Sequence, residues 1–191
     1  LGGYYNEAWI SMDVDTLCNP HVIIVEEYSA FHVYKQNNIW HSEEIPITYS
    51  MCQSFRINKR QMPVFSHFWF GIQVYYSHKE DTIWIHEPVD TSLPYASWWY
   101  TSLAIDSQNR PHIVYKCPHP DDYRIKYAFF NGNFWEITAF DEWDDYIHNP
   151  RSIAVDPNDN PHFICINRTY PYDRITYRFY DGSKWRVRYI T

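Results

Sequence analysis

The chain has 191 residues, a net charge of −7 and 45 % apolar residues, and Trp 9, Tyr 18 and Phe 11 bring the aromatics to 20 %. That apolar content excludes a disordered chain, and the scattered basic residues exclude a nucleic-acid backbone as the main partner. Apolar runs no longer than Val22–Val25 exclude a bilayer-spanning helix, and the abundance of Tyr, Trp, Ile, Val and Thr predicts an all-β domain.

Along the chain one pattern recurs four times, and such internal repeats decide the fold before any motif does. The first copy opens on Ser11-Met-Asp-Val-Asp15, whose alternation predicts a half-buried strand. Pro20-His21 opens a second strand, Tyr34 marks a third and Trp40 a fourth. The second copy reads Ser54-Phe-Arg-Ile-Asn58, Pro63-Val64, Tyr75 and Trp84. Ser102-Leu-Ala-Ile-Asp106, Pro111-His112, Tyr127 and Trp135 make the third. Ser152-Ile-Ala-Val-Asp156, Pro161-His162, Tyr177 and Trp185 complete the set. The serines are spaced 43, 48 and 50 residues apart. Each Pro follows its Asp or Asn by five residues, where a strand tolerates the missing N–H. Asn131-Gly132 and Asp181-Gly182 predict the hairpin turn before the Trp strand, and the loop between the second and third strands takes up the length differences.

Four antiparallel strands at this period are the signature of β-propeller blades. Phe179-Tyr-Asp-Gly-Ser-Lys-Trp185 and Phe129-Phe-Asn-Gly-Asn-Phe-Trp135 resemble degenerate Asp-box (BNR) turns of sialidase-like propellers. The Asp-x-x-Asn-x-Pro-His stretch ending at His112 resembles the first hairpin of secreted bacterial propeller repeats. Lys35-Gln-Asn-Asn-Ile-Trp40 and His78-Lys-Glu-Asp-Thr-Ile-Trp84 depart from the pattern by lacking the Gly. The expectation is a single propeller domain, residues 1–191, of four four-stranded blades at about 4–46, 47–90, 95–141 and 146–191. The alternative is a four-blade portion of a larger ring completed by another chain. Closure within one chain would rest on blade packing, with Cys18 and Cys165 as a candidate disulfide between blades 1 and 4.

The chemistry-bearing residues divide into those that recur and those that do not. Asp15, Asn58, Asp106 and Asp156 recur in every copy with their serines, which predicts a structural role: the side chain accepts hydrogen bonds from the turn N–H groups. The alternative is an Asp ring holding Ca²⁺ in the central channel; no other cofactor is expected. His21, His112 and His162 share one slot and could form a metal ring, but the plainer expectation is that each bonds to the Asp of its own blade. Asp13 and Arg56 share a slot with Ala104 and Ala154, which predicts an ion pair between blades 1 and 2. Trp40, Trp84, Trp135 and Trp185, with the four tyrosines, read as packing between blades.

Aromatics outside the repeat are the candidate binding residues, because loops need no such rings for folding. They are Trp98, Trp99 and Tyr100 in one connector, Trp143 and Tyr146 in another, and Trp69 with Phe68 at the loop between strands two and three of the second copy. Sugar rings stack on such side chains while neighbouring Asp, Asn and Arg hold hydroxyls. Catalysis is the weaker expectation: G-x-S-x-G, H-E-x-x-H and P-loop patterns are missing, and the ten arginines do not recur as the convergent anion site a sialidase-like glycosidase needs. Leu1 in place of Met, four cysteines without C-x-x-C spacing and the glycosylation sequon at Asn167 lean towards a processed or partial chain that is secreted or on the cell surface. The sequence therefore predicts a non-enzymatic binding module, lectin-like and partnered by glycans, with no membrane insertion and no nucleic acid. The alternative is a structural subunit that assembles with copies of itself.

Overall fold

A computed structural model describes residues 8–26, 28–47, 50–69, 73–91, 101–116, 125–140, 153–169 and 172–190, with side chains outside that description at 51–53, 166–169 and 172–174. Among the described residues there is no helix; sixteen strands form four four-stranded antiparallel sheets, each in simple up-and-down order. Blade 1 contains β1 (Trp9–Val14), β2 (Pro20–Val25), β3 (Ala30–Gln36) and β4 (Ile39–Ile45). Blade 2 contains β5 (Ser50–Ile57), β6 (Pro63–Trp69), β7 (Gln73–Glu80) and β8 (Ile83–Pro88). Blade 3 has β9 (Thr101–Ile105), β10 (Pro111–Lys116), β11 (Ile125–Phe130) and β12 (Trp135–Phe140). Blade 4 has β13 (Ile153–Val155), β14 (Pro161–Thr169), β15 (Tyr172–Tyr180) and β16 (Trp185–Ile190).

The turns explain why the copies tolerate different residues. In every blade the residue opposite the Trp lies five positions before it: Lys35 opposite Trp40, Lys79 opposite Trp84, Phe130 opposite Trp135 and Tyr180 opposite Trp185. Gly132 and Gly182 take φ of 103° and 89° in two of these turns. Where the Gly is missing, Asn37 and Asn38 adopt φ of 50° and 64°, and Asp81 adopts 51°. Asn and Asp are the residues that enter this left-handed region most readily after Gly.

Each blade has a forward face, turned to the next blade, and a rear face, turned to the one before. Ile23, Val25, Ala30 and Ile45 of blade 1 meet Phe55, Phe65 and Trp84 of blade 2. Val64, Phe68, Val74 and Tyr76 of blade 2 meet Leu103, Ile113 and Tyr115 of blade 3, with Trp135 against them. Val114, Ile125, Tyr127 and Phe140 of blade 3 meet Ile153, Phe163, Cys165 and Trp185 of blade 4. The core is thus three slabs between sheets, each closed by a Trp from the blade behind which it lies.

The recurring Ser stitches the first strands together. Ser11 Oγ accepts from Phe55 N at 3.2 Å, Ser54 Oγ from Leu103 N at 2.9 Å and Ser102 Oγ from Ile153 N at 3.4 Å. Each bond satisfies a strand N–H on the edge that no neighbouring strand covers. Ser54 is buried, so Ser54→Ala leaves the Leu103 N–H without its acceptor and is expected to cost about 1–2 kcal/mol, read from urea denaturation. A loss below the measurement error would show that water replaces the hydroxyl.

Three expectations are corrected here. Cys18 is an exposed thiol in the first turn, while Cys165 faces blade 3 with its Sγ 3.6 Å from the Thr176 carbonyl oxygen; no disulfide joins them. Asp13 does not reach Arg56. Its Oδ2 accepts from Ile57 N at 2.8 Å, and Arg56 Nη1 donates to the Phe55 carbonyl at 2.7 Å, because exposed strand-edge groups lie closer to each side chain than the opposite charge. The third concerns the tyrosines. Tyr127 and Tyr177 share a slot, opposite Val114 and Ile164, but His32 and Tyr76 fill it in blades 1 and 2. Tyr34 lies two pairs further on, on the same face, and Tyr75 is one residue away on the opposite face of its sheet.

Candidate functional site

The first turn of each blade is built around its Asp or Asn. Asp15 Oδ1 accepts from Leu17 N and Asn19 N at 2.9 and 2.7 Å, and Asn58 Oδ1 from Arg60 N and Met62 N at 2.9 and 3.0 Å. Asp106 Oδ1 accepts from Gln108 N and Arg110 N at 2.9 and 2.7 Å, and Asp156 Oδ1 from Asn158 N and Asn160 N, both at 2.8 Å. A carboxylate held this way is engaged in the turn rather than open to a cation. The second oxygens of Asp106 and Asp156 lie 3.4 and 3.5 Å from Nε2 of His112 and His162. The opposite ring nitrogens lie 2.6 and 2.5 Å from the Tyr127 and Tyr177 hydroxyls. Burial holds His112 below its ordinary value despite Asp106, so its ring is neutral and receives the Tyr127 proton. Each His thus belongs to its own blade. Among the described residues no three His, Cys, Asp or Glu side chains are placed to hold a metal ion.

Blade 1 replaces the Tyr with His32, and this change opens a different site. His21 Nδ1 and His32 Nε2 are 3.0 Å apart, and His32 Nδ1 is 2.9 Å from Glu43 Oε1. Lys79, from the next blade, donates to Glu43 Oε2 at 2.5 Å. Burial pushes the His32 imidazole down to about 4, against the pull of Glu43. We assign its single proton to Nδ1, donated to Glu43, leaving Nε2 to accept from His21. Burial raises the Glu43 carboxyl, but the hydrogen bonds from Lys79 and His32 outweigh it and hold it below its usual range. Tyr34 stacks on His21 and His32 with centroids 5.6 and 4.9 Å away, and on His41 at 5.2 Å.

These groups wall a cleft of 650 Å³ between blades 1 and 2, reached by Tyr34, Glu43, Lys79, Gln36, Asn37 and Gln61. The next junction has its own cleft of 970 Å³, where Tyr76, His78, Glu87 and Asn109 occupy the slots of His32, Tyr34, Glu43 and Gln61. There Tyr76 stacks on His78 at 5.4 Å and meets Trp135 edge-on at 5.8 Å. Two consecutive junctions therefore present a carboxylate beside stacked rings in an open cleft. Glu43, Lys79 and His32 escape a motif search because none recurs through the four copies: Glu and Lys fill their slots in blades 1 and 2 only, and His32 stands alone; aligning the copies by strand register is the signal that would have found them.

Of the sequence candidates, Trp98, Trp99, Tyr100, Trp143 and Tyr146 lie outside the described residues, as does the Asn167 side chain. Trp69 and Phe68 are strand residues rather than loop residues. Phe68 is buried in the second slab, and Trp69 is half-buried at the end of β6 with its ring edge on Tyr75 at 5.3 Å.

No family model matches the sequence, and no curated protein matches it either. Among solved structures, a fucose lectin from Kordia zhangzhouensis in complex with methyl-fucoside superposes with a TM-score of 0.51 and 12 % identity, over 70 % of this chain and 99 % of its own. The chain is a β-propeller. The WD40 domain of SCAP from fission yeast aligns over 98 % of this propeller and 67 % of its own chain, with a TM-score of 0.33 and 9 % identity. At these identities the likeness is one of fold.

Proposed function

We propose that this β-propeller is a non-enzymatic, lectin-like module that binds carbohydrate in the clefts between consecutive blades. The observation that carries this reading is the Glu43–Lys79 pair beside Tyr34 in the first cleft. A carboxylate and an ammonium fixed side by side accept from and donate to adjacent hydroxyls, and the stacked ring offers a flat apolar surface to C–H groups. Few polar groups, placed at an aromatic wall, are what orient a small ligand. The related cleft between blades 2 and 3 offers Glu87 and His78 in the same places, so the reading is of a repeated site. The connector rings Trp98, Trp99, Tyr100, Trp143 and Tyr146, with Trp69, are proposed as further stacking surfaces for a longer glycan. We also propose that the protein works outside the cell or on its surface, in keeping with the sequon at Asn167.

The Kordia lectin was solved with methyl-fucoside, which makes that sugar the first probe, followed by a glycan array. Tyr34→Ala and Glu43→Gln are each expected to weaken the retained glycan about 10-fold or more, the size of one charged hydrogen bond. Loss confined to Trp99→Ala and Trp143→Ala would move the site to the connectors. A chain that retains no glycan sinks the reading.

A further inference from the structure

The three internal junctions show what each blade face needs, and the chain carries one face of each kind that no described residue covers. On the forward face of blade 3, Val114, Ile125 and Phe140 are 0, 1 and 8 % exposed. The register places Ile164, Ile175 and Ile190 in the same slots of blade 4, where they are 39, 42 and 48 % exposed. On the rear faces, Phe55, Leu103 and Ile153 are buried, whereas Met12 in that slot of blade 1 is 62 % exposed. Trp84, Trp135 and Trp185 each pack into the slab behind them, but Trp40 is 56 % exposed. Ile10 and Val14 extend this apolar surface. Contiguous apolar faces of this kind mark interfaces.

We propose that the forward face of blade 4 docks on the rear face of blade 1 of a second copy, so that two chains close head to tail into an eight-blade ring. The occupant follows from the fold: a rear face is covered by a forward face, and this chain presents both. The number follows from closure. Propellers run from four to eight blades, and this four-blade chain leaves its own seam open, so the next multiple is eight. Of the residues at this seam only Lys35 also lines a sugar cleft, and the contact does not depend on that reading.

The first turns supply an independent observation. At each internal junction the residue after the Asp or Asn donates to a side chain of the next blade. Thr16 N bonds Gln61 Oε1 at 2.9 Å, Lys59 N bonds Asn109 Oδ1 at 3.0 Å and Ser107 N bonds Asp159 Oδ1 at 2.7 Å. At the seam the donor slot holds Pro157, which has no N–H, and the acceptor slot holds Cys18. Donor and acceptor are lost together, so the two turns meet without stranding a polar group. One slot is mismatched: Lys35 and Arg188 stand where Lys79 and Glu43 pair at the first junction. Like charges there make the seam the weakest junction and strengthen it as salt rises.

Sedimentation velocity of the full 191-residue chain over roughly 1–100 µM reads the proposal directly. The expected species is a dimer that dissociates on dilution and tightens with salt. Met12→Asp and Ile175→Asp each bury an unpaired carboxylate at the seam and are expected to weaken it at least ~100-fold. Both positions are exposed in the single chain, so circular dichroism should show the fold intact. Mixed together, these two variants retain one sound seam and should recover a heterodimer, which a face pairing with itself would not allow. Lys35→Glu, set against Arg188, is expected to tighten the dimer. A monomer at every concentration overturns the proposal, and so does a dimer indifferent to both aspartates. Failure of the mixture to re-associate, or growth beyond the dimer, overturns the head-to-tail ring.

Discussion

Asp90→Ala is expected to unfold about 10–15 °C earlier than the parent chain, a loss of about 3–5 kcal/mol at this size. Asp90 is 2 % exposed and sits in the junction between blades 2 and 3, where its Oδ2 accepts from Lys126 Nζ at 3.0 Å and from the Tyr115 hydroxyl at 2.8 Å. Lys126 is itself buried. Removing the carboxylate leaves an ammonium in a slab with no counter-charge from Asp90, and that desolvation outweighs the lost Coulomb attraction. The double change Asp90→Leu with Lys126→Met removes both charges and should recover most of the melting temperature. Differential scanning calorimetry on the three variants decides it. If Asp90→Ala costs less than ~1 kcal/mol, the pair is hydrated and behaves as a surface bridge.

The second large effect is with pH. Burial pushes His32 down to about 4 and His67 down to about 3. His67 lies in a closed chain, with Ser50 Oγ 2.5 Å from Nδ1 and Ser77 Oγ 2.8 Å from Nε2, so its neutral ring has both nitrogens satisfied. In the unfolded chain both histidines titrate near 6.5. The unfolded state therefore binds more protons between that value and the folded ones, and stability is present above pH 6.5 and lost as pH falls. At pH 5 each of the two should have lost about 2 kcal/mol, and the loss continues towards pH 4. His86 and His112, also lowered by burial, act in the same direction. Urea denaturation at pH 7 and pH 5 measures the difference, and His67→Gln should remove about 2 kcal/mol of it. Equal stability at the two pH values would mean that the rings are hydrated.

The repeat was legible because its signals are local. Ser, Asp, Pro and Trp sit at strand starts and turns, where a residue type answers to the backbone of its own blade. Asp106 and Asp156 make the same two turn bonds as Asp15, so the same residue recurs. The tyrosines were read one or two positions out because the loop between strands two and three varies in length. Counting from the Pro then loses register, and only the pairing across β3 and β7 restores it. His32 was hidden for the same reason: it fills a Tyr slot that spacing from Pro20 assigns to Tyr34.

The amino-acid sequence alone determined that the chain is all-β, that it has four blades and where their strands begin; its expectation that all four recurring Trp pack between blades fails at Trp40, which is 56 % exposed. Alternation of period two, turn residues and repetition encode the strands and blades, and each is a property of a short segment. Tertiary structure decided which faces meet, which cleft holds Glu43 beside Lys79, that Asp13 caps a strand instead of pairing with Arg56, and that Trp40 is left uncovered while Trp84, Trp135 and Trp185 are not. These depend on side chains from different blades arriving at one place. No spacing within a single blade specifies that arrival; the rotation from one sheet to the next does.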